Sequence, residues 1–127
     1  MDDKQYILIV DDDPDARTIL NKILETLGFP AQSAADGQEA LDKIAAQQPA
    51  LILLDLMMPG MNGFEFLFRK MAVPQTRYIP VIVVSAVSTE DTLKLPGVSR
   101  VIRKAGMRVA DVRDAVVSLV GTFPQAS

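Results

Sequence analysis

Short, uninterrupted runs of aliphatic residues recur along the chain, and each ends at a polar or turn-forming residue. The clearest runs cover residues 6–10, 51–54 and 80–85, and weaker runs cover residues 30–34 and 98–103. Continuous apolar runs of this length are typical of strands with both faces buried, as in parallel sheets. The pattern therefore predicts five strands.

Between these runs, apolar residues recur with the three- and four-residue spacing of amphipathic helices. The first helix follows Asp13 and Pro14, which suit the N-cap and the first helical position. The second follows Asp36, and Glu39 three residues later completes a capping-box pattern. A final helix is predicted over residues 107–120.

Two further helices lie in the second half of the chain. The third is predicted to begin after Asn62 and to place four apolar residues on its inner side: Phe64, Leu67, Phe68 and Met71. The fourth is predicted to begin near Ser88 and to be short, because Pro96 and Gly97 break it. Strands and helices thus alternate, which predicts a (βα)₅ parallel sheet with helices on both faces.

Length and composition limit the classes of protein that fit this pattern. The 127 residues are enough for one domain with its own core, and the 49% hydrophobic and 23% charged residues are typical of globular proteins. The net charge of −3 argues against nucleic acid or an anionic membrane as a partner. No apolar run approaches the roughly 20 residues of a membrane span, and the acidic N-terminus is unlike a signal peptide. We therefore expect one soluble, cytoplasmic domain.

The chain contains neither cysteine nor histidine. It therefore has no disulfide framework, no thiol nucleophile and no imidazole to serve as a general base or transition-metal ligand. Any bound metal must be a hard ion with oxygen ligands, and Mg²⁺ fits that description.

Polar side chains lie where the predicted strands end. Asp11 and Asp12 follow the first strand, Asp55 follows the third, Ser85 ends the fourth and Lys104 follows the fifth. Because parallel strands end at the same edge of a sheet, we expect these five residues to lie close together. Two unit charges about 4 Å apart repel by about 4 kcal/mol at an effective dielectric near 20, so the carboxylates require a compensating cation.

Such a group of residues suits phosphoryl transfer, which needs positioning and charge neutralisation more than acid–base catalysis. An aspartate can accept a phosphoryl group to give an aspartyl phosphate. Mg²⁺ and Lys104 would neutralise the transferred oxygens, and the Ser85 hydroxyl could donate a hydrogen bond to one of them. Taken singly, each residue is better explained as a helix cap, a strand end or a surface charge. Their joint occurrence at four strand ends favours the functional interpretation.

These same residues carry a resemblance to a known family. The motifs are Ile-Leu-Ile-Val-Asp-Asp-Asp-Pro at residues 7–14, Leu-Leu-Asp-Leu-Met-Met-Pro-Gly-Met-Asn-Gly at 53–63, Val-Val-Ser-Ala at 83–86, and Lys104. Over about residues 5–120 the chain resembles the receiver domain of bacterial two-component response regulators. The resemblance implies a single domain with a flavodoxin-like, doubly wound sheet of strand order 2-1-3-4-5.

The resemblance also implies a role for each acidic residue. Asp55 would be the phosphoacceptor. Asp12, Asp55 and the main-chain carbonyl of Met57 would bind Mg²⁺ directly, and Asp11 would hold the ion through water.

The remaining implied roles concern the switch and the partners. Ser85 would be the switch hydroxyl, and Lys104 the cation that pairs with the phosphoryl group. The donor would be a phosphohistidine on a histidine kinase or phosphotransfer protein, because this chain has no histidine. The resemblance implies a signalling module and not an enzyme, a monomer or weak dimer whose output passes through another, unidentified protein.

Some positions depart from the family pattern, and alternatives remain open. Val101 stands where the family usually has an aromatic residue, Ala105 stands where proline usually follows the lysine, and the fourth helix is short. These departures leave open an interaction module that does not use phosphorylation. A Mg²⁺-dependent phosphohydrolase is the other alternative, but that class uses an aspartate two residues after the nucleophile, where this chain has Met57.

Overall fold

The computed structural model describes residues 5–86 and 90–121, and within these ranges strands and helices alternate. The strands are β1 (Ile7–Val10), β2 (Ala31–Ala34), β3 (Leu51–Leu54), β4 (Val81–Ser85) and β5 (Val98–Arg103). The α-helices are α1 (Pro14–Thr26), α2 (Gly37–Ala46), α3 (Gly63–Ala72) and α4 (Val109–Val120). No helix in the described ranges is both long and apolar enough to cross a membrane.

All five strands are parallel and lie in the order β2-β1-β3-β4-β5, which confirms the predicted flavodoxin-like sheet. Val10 pairs with Leu54, and Leu54 pairs with Val83. The central strands therefore end at a common edge, and the loops that follow them begin side by side.

The core lies on both faces of the sheet, and β1 and β3 are buried along their whole length. Helices α2 and α3 cover one face, and α1 and α4 cover the other. The first cluster contains Leu8, Val10, Ile52, Leu54, Ala40, Ile44, Phe66 and Leu67. The second contains Ile7, Ile9, Leu51, Leu53, Leu20, Leu24, Val112 and Val116. The alternation arises because successive side chains of a strand point to opposite faces.

The predicted N-caps of the first three helices are confirmed. Asp36 Oδ1 accepts from the backbone N–H of Glu39 at 2.8 Å, and Asn62 Oδ1 accepts from that of Glu65 at 2.9 Å. Asp13 caps α1 and is followed by proline at the first helical position. These bonds satisfy backbone donors that lack partners inside the helix, so local sequence fixes where each helix begins.

The prediction for the buried face of α3 was wrong. Phe64 and Phe68 are 40% and 64% exposed, whereas Phe66, Leu67 and Lys70 are buried. Of the four residues predicted to face inward, Leu67 alone is fully buried.

A close contact at Gly63 explains the different face. A Cβ atom built on Gly63 would lie 2.5 Å from the Leu56 Cα atom, so this residue must face the loop that leaves β3. Residues three, four and seven positions later share the same side of a helix. Gly63 therefore turns Phe66, Leu67 and Lys70 toward the sheet and leaves Phe64 and Phe68 outside.

The fourth predicted helix is indeed short. Between β4 and β5 the structure has a 3₁₀ helix, Glu90–Lys94. Its predicted start near Ser88 lies outside the described residues. The positive φ of 81° at Gly97 turns the chain into β5. At the other end of the chain, α4 begins two residues later than predicted, with Arg108 as its N-cap.

Lys70 is a fully buried lysine on α3. Its ammonium donates to the carbonyl of Arg77 at 3.1 Å and lies 3.8 Å from Met71 Sδ, and no ion pair to it occurs among the described residues. Burial lowers the pKa of Lys70 to about 8, because the charged form loses its hydration without gaining a carboxylate partner.

The Lys70→Met variant is expected to be more stable than wild type at neutral pH, by about 1–3 kcal/mol, because an unpaired buried charge is replaced by an apolar chain of similar length. In wild type, the unfolded state keeps its proton between pH 8 and 10.5 while the folded state loses it. Wild-type stability should therefore rise with pH through that window. Urea denaturation between neutral pH and about pH 9.5 measures both effects.

Lys22→Met, at an exposed lysine of α1, is the control. It should leave both the free energy of unfolding and its change with pH near the wild-type values. An unchanged pH slope in Lys70→Met would show that another group causes it.

Candidate functional site

Three carboxylates meet at the edge of the sheet where β1 and β3 end. The backbone N–H of Asp55 donates to the carbonyl of Val10 at 2.9 Å, which extends the pairing of the two strands by one residue. Asp11, Asp12 and Asp55 each offer an oxygen that lies within 4.8 Å of the others. Asp11 and Asp55 are buried, and Asp12 is exposed.

Backbone donors in the adjoining loops orient the two buried carboxylates. The N–H of Asp13 donates to Asp11 Oδ1 at 3.0 Å, and the N–H of Met57 donates to Asp55 Oδ1 at 3.2 Å. Each carboxylate thus uses one oxygen to close its own loop. The Oδ2 atoms of both residues remain available to a cation at the centre of the cluster.

Lys104 supplies a cation from the end of β5. Its ammonium lies 2.7 Å from Asp11 Oδ2 and 3.6 Å from Asp55 Oδ2. Its backbone N–H donates to the Ser85 carbonyl at 3.0 Å, which ties the loop after β5 to the end of β4. Burial alone would lower the pKa of Lys104, but the nearby carboxylates of Asp11 and Asp55 outweigh it and raise the pKa.

The pKa of Asp55 is raised above its usual value. Burial is the main cause, and the negative charges of Asp11 and Asp12 add to it. The hydrogen bond from Met57 and the charge of Lys104 act in the opposite direction. Asp55 in its charged form is therefore under electrostatic stress that a further cation, or conversion to a neutral group, would relieve.

Ser85 is the last residue of β4 and is buried. Leu54 pairs with Val83, so Ser85 lies on the strand adjacent to the β3 end that Asp55 follows. Val101 pairs with Val83 on the other side of β4 and is partly buried against the core cluster of α2 and α3. The predicted metal-binding and phosphoryl-transfer residues thus lie at the carboxyl ends of β1, β3, β4 and β5 or in the loops that follow, and Val101 lies within β5.

The donor set of the cluster fits a hard divalent cation. Asp11 Oδ2 is buried and makes no hydrogen bond of normal geometry, although the Lys104 ammonium is close to it. Asp12 faces solvent, so an ion can approach from that side with part of its water shell. Oxygen-only ligands combined with water are what Mg²⁺ usually takes in proteins.

Arg17 contributes a contact that sequence patterns did not indicate. Its Nη1 atom, from the first turns of α1, donates to the Asp11 carbonyl at 2.8 Å. The bond holds the loop after β1 against the helix that follows. The six-residue separation matches no recognised motif, so the sequence carried no signal for it.

Comparison with known proteins gives consistent matches. A family model described as the response regulator receiver domain matches residues 7–105. The chain is 38% identical over 90 residues to sporulation initiation phosphotransferase F of Bacillus subtilis, which covers 71% of each protein. It is also 38% identical over 85 residues to an uncharacterized 14.6 kDa protein of Leptolyngbya boryana, which covers 67% of this chain and 65% of that protein.

A solved structure shows the same fold. The response regulator protein TrrA of Thermotoga maritima, in complex with Mg²⁺ and BeF, is similar with a TM-score of 0.81 and 26% sequence identity. The similarity covers 91% of this chain and 99% of that one.

Asp55→Asn is expected to raise the metal-free melting temperature at neutral pH by roughly 2–6 °C, about 1 kcal/mol for a domain of this size. The amide still accepts from Met57 but is neutral. The pKa of Asp55 in the folded state lies above its ordinary value, so the folded state holds its proton to a higher pH than the unfolded state does. Wild-type stability therefore falls as the pH rises from the ordinary pKa to the raised one. The advantage of the variant should therefore disappear when the pH is lowered below about 4. Thermal melts in a chelator across pH measure the difference.

Glu25→Gln, at an exposed carboxylate of α1, is the control and should show no such dependence. Equal melting temperatures for wild type and Asp55→Asn at every pH would contradict the proposed stress on Asp55.

Proposed function

This chain belongs to the response regulator receiver domain family, and we propose that it receives a phosphoryl group on Asp55 in two-component signalling. The observation that carries the proposal is the buried Asp55 carboxylate beside Asp11, Asp12 and the Lys104 ammonium. Receiver domains act as phosphoacceptors and are not enzymes in the usual sense, so the chemistry serves a signal.

The transfer step uses Asp55 Oδ2, the oxygen that faces Lys104. Oδ1 is held by the N–H of Met57, so Oδ2 is the better placed nucleophile. Oδ2 attacks the phosphorus of a phosphohistidine, an O–P bond forms, and the N–P bond breaks in line with it. The departing imidazole takes a proton from solvent. The chain has no histidine, so the donor is a histidine kinase or a phosphotransfer protein.

Charge neutralisation around the phosphoryl group is the main task of the neighbouring residues. Lys104 would exchange its 2.7 Å contact with Asp11 for the phosphoryl oxygens, and the Ser85 hydroxyl would donate to one of them. Mg²⁺, when bound, supplies positive charge to the transferred oxygens. Asp12, Asp55 and the Met57 carbonyl would hold it directly, and Asp11 would do so through water.

Two similar proteins support this assignment. The Bacillus subtilis relative is named a phosphotransferase, and the Thermotoga maritima neighbour was solved with Mg²⁺ and BeF, whose fluorides can occupy the positions of phosphoryl oxygens. A phosphohydrolase is disfavoured because position 57 carries methionine, with a side chain 64% exposed, where that class needs an acid–base carboxylate.

A second candidate function is an interaction module that works without phosphorylation. It is favoured by Val101, which has no aromatic ring to move between two positions, and by the 3₁₀ helix that replaces a full fourth helix. The β-branched side chain of Val101 also has few rotamers.

Acetyl phosphate with Mg²⁺ is expected to add one phosphoryl group to the wild-type protein and none to Asp55→Asn. Intact-mass spectrometry under denaturing acidic conditions counts the groups. Asp42→Asn, at an exposed carboxylate of α2, is the control and should be labelled like wild type. Equal labelling of Asp55→Asn would overturn the assignment, and no labelling of wild type would favour the module that works without phosphorylation.

Mg²⁺ is expected to raise the melting temperature of the wild-type protein, because it binds the carboxylate cluster of the folded state. A concentration 100 times the dissociation constant corresponds to about 2.7 kcal/mol. Asp12→Ala should lose most of this shift. Asp13→Asn is the matched control, because asparagine retains the N-cap of α1 and Asp13 lies outside the cluster. The same shift in all three proteins would exclude Asp12 as a ligand.

A further inference from the structure

Helix α3 carries an exposed aromatic pair on its outer surface. Phe64 and Phe68 are 40% and 64% exposed, and they lie one turn apart on the same side of the helix. Two phenylalanines side by side at the surface leave apolar area in water that burial in an interface would remove. Such a patch is characteristic of a surface that another protein covers.

A pair of opposite charges lies beside the aromatic pair. Arg69 Nη2 lies 3.0 Å from Glu65 Oε2, and their side chains are 55% and 48% exposed. Each charged residue directly follows one of the two phenylalanines in the sequence. The outer surface of α3 thus presents two parallel rows, one aromatic and one charged, with the acidic residue toward the N-terminus.

We propose that this surface binds α3 of a second copy of the chain, in an antiparallel arrangement about a two-fold axis. Antiparallel packing places Phe64 of one copy against Phe68 of the other, so all four rings share one apolar contact. It also brings Glu65 of each copy to Arg69 of the other. Each of these contacts occurs twice in the dimer, once on either side of the two-fold axis.

The charge pattern selects this arrangement over a parallel one. Parallel two-fold packing would place the two charged rows on opposite sides of the aromatic contact, so Glu65 and Arg69 of one copy would meet neither charged residue of the other. Exposed pairs of opposite charge contribute little affinity, so the rings provide most of the binding energy and the charges set the direction.

The interface is built from one helix of ten residues, and this limits its strength. Stable complexes usually bury about 800 Å² on each partner, more than a single short helix offers. The association should therefore be weak and should depend on concentration in the micromolar to millimolar range.

Sedimentation velocity of the full chain across that concentration range tests the proposal. Wild type is expected to shift from monomer to dimer, and Phe68→Ser is expected to stay monomeric. Ile19→Ser is the matched control, because Ile19 is an aliphatic residue on α1 with a similar exposure of 53%. It should dimerise like wild type, and circular dichroism verifies that all three proteins are folded.

Charge exchange provides an independent measurement that does not depend on the rings. Glu65→Arg leaves two positive residues on the charged row, and Arg69→Glu leaves two negative ones. Each variant alone should associate at least tenfold more weakly than wild type, and an equimolar mixture should regain the wild-type affinity as a heterodimer.

Several results would overturn the proposal. They are a wild-type protein that remains monomeric at millimolar concentration, a dimer that survives Phe68→Ser, and a mixture of the charge variants that associates no better than each alone. A wild-type chain that binds only a different protein through these rings would also overturn it, because the surface would then serve another partner.

Discussion

The pairing of β1 with β3 is the constraint on which the rest of the molecule depends. Val10 lies opposite Leu54, so the first residues after the two strands, Asp11 and Asp55, lie side by side. A slip of one residue would turn every side chain of a strand to the opposite face and would separate the two carboxylates. The two core clusters, one on each face, fix this register and so bring like charges together.

The same burial that stabilises the sheet stresses the charges at its edge. Asp55 loses hydration and lies close to two other carboxylates, and Lys104 compensates only part of this negative charge. A site arranged in this way favours the binding of a further cation. The charged form of Asp55 costs stability, and the proposed phosphoryl transfer needs that form, so the two demands oppose each other at this residue.

Strands, helix caps and the group of strand-end residues could be predicted from the sequence, because each depends on a local pattern or on parallel topology. The inner face of α3 could not, since it depends on the close approach of Gly63 to Leu56, a contact without a periodic signal. Burial of Lys70 follows from the same rotation of the helix. Arg17 and the short Lys104–Asp11 distance depend on side-chain geometry in three dimensions, which spacing in the chain does not encode.

The Lys104 ammonium can also be regarded as a tethered counter-ion. Since the chain holds it 2.7 Å from Asp11, its effective local concentration far exceeds that of salt in solution. Lys104 therefore neutralises part of the negative charge of the carboxylates even when dissolved ions are scarce. A dissolved cation must displace the lysine, so its binding free energy is reduced by the free energy of the lysine contact. The tether thus raises the concentration of dissolved cation that is needed to displace the lysine from Asp11.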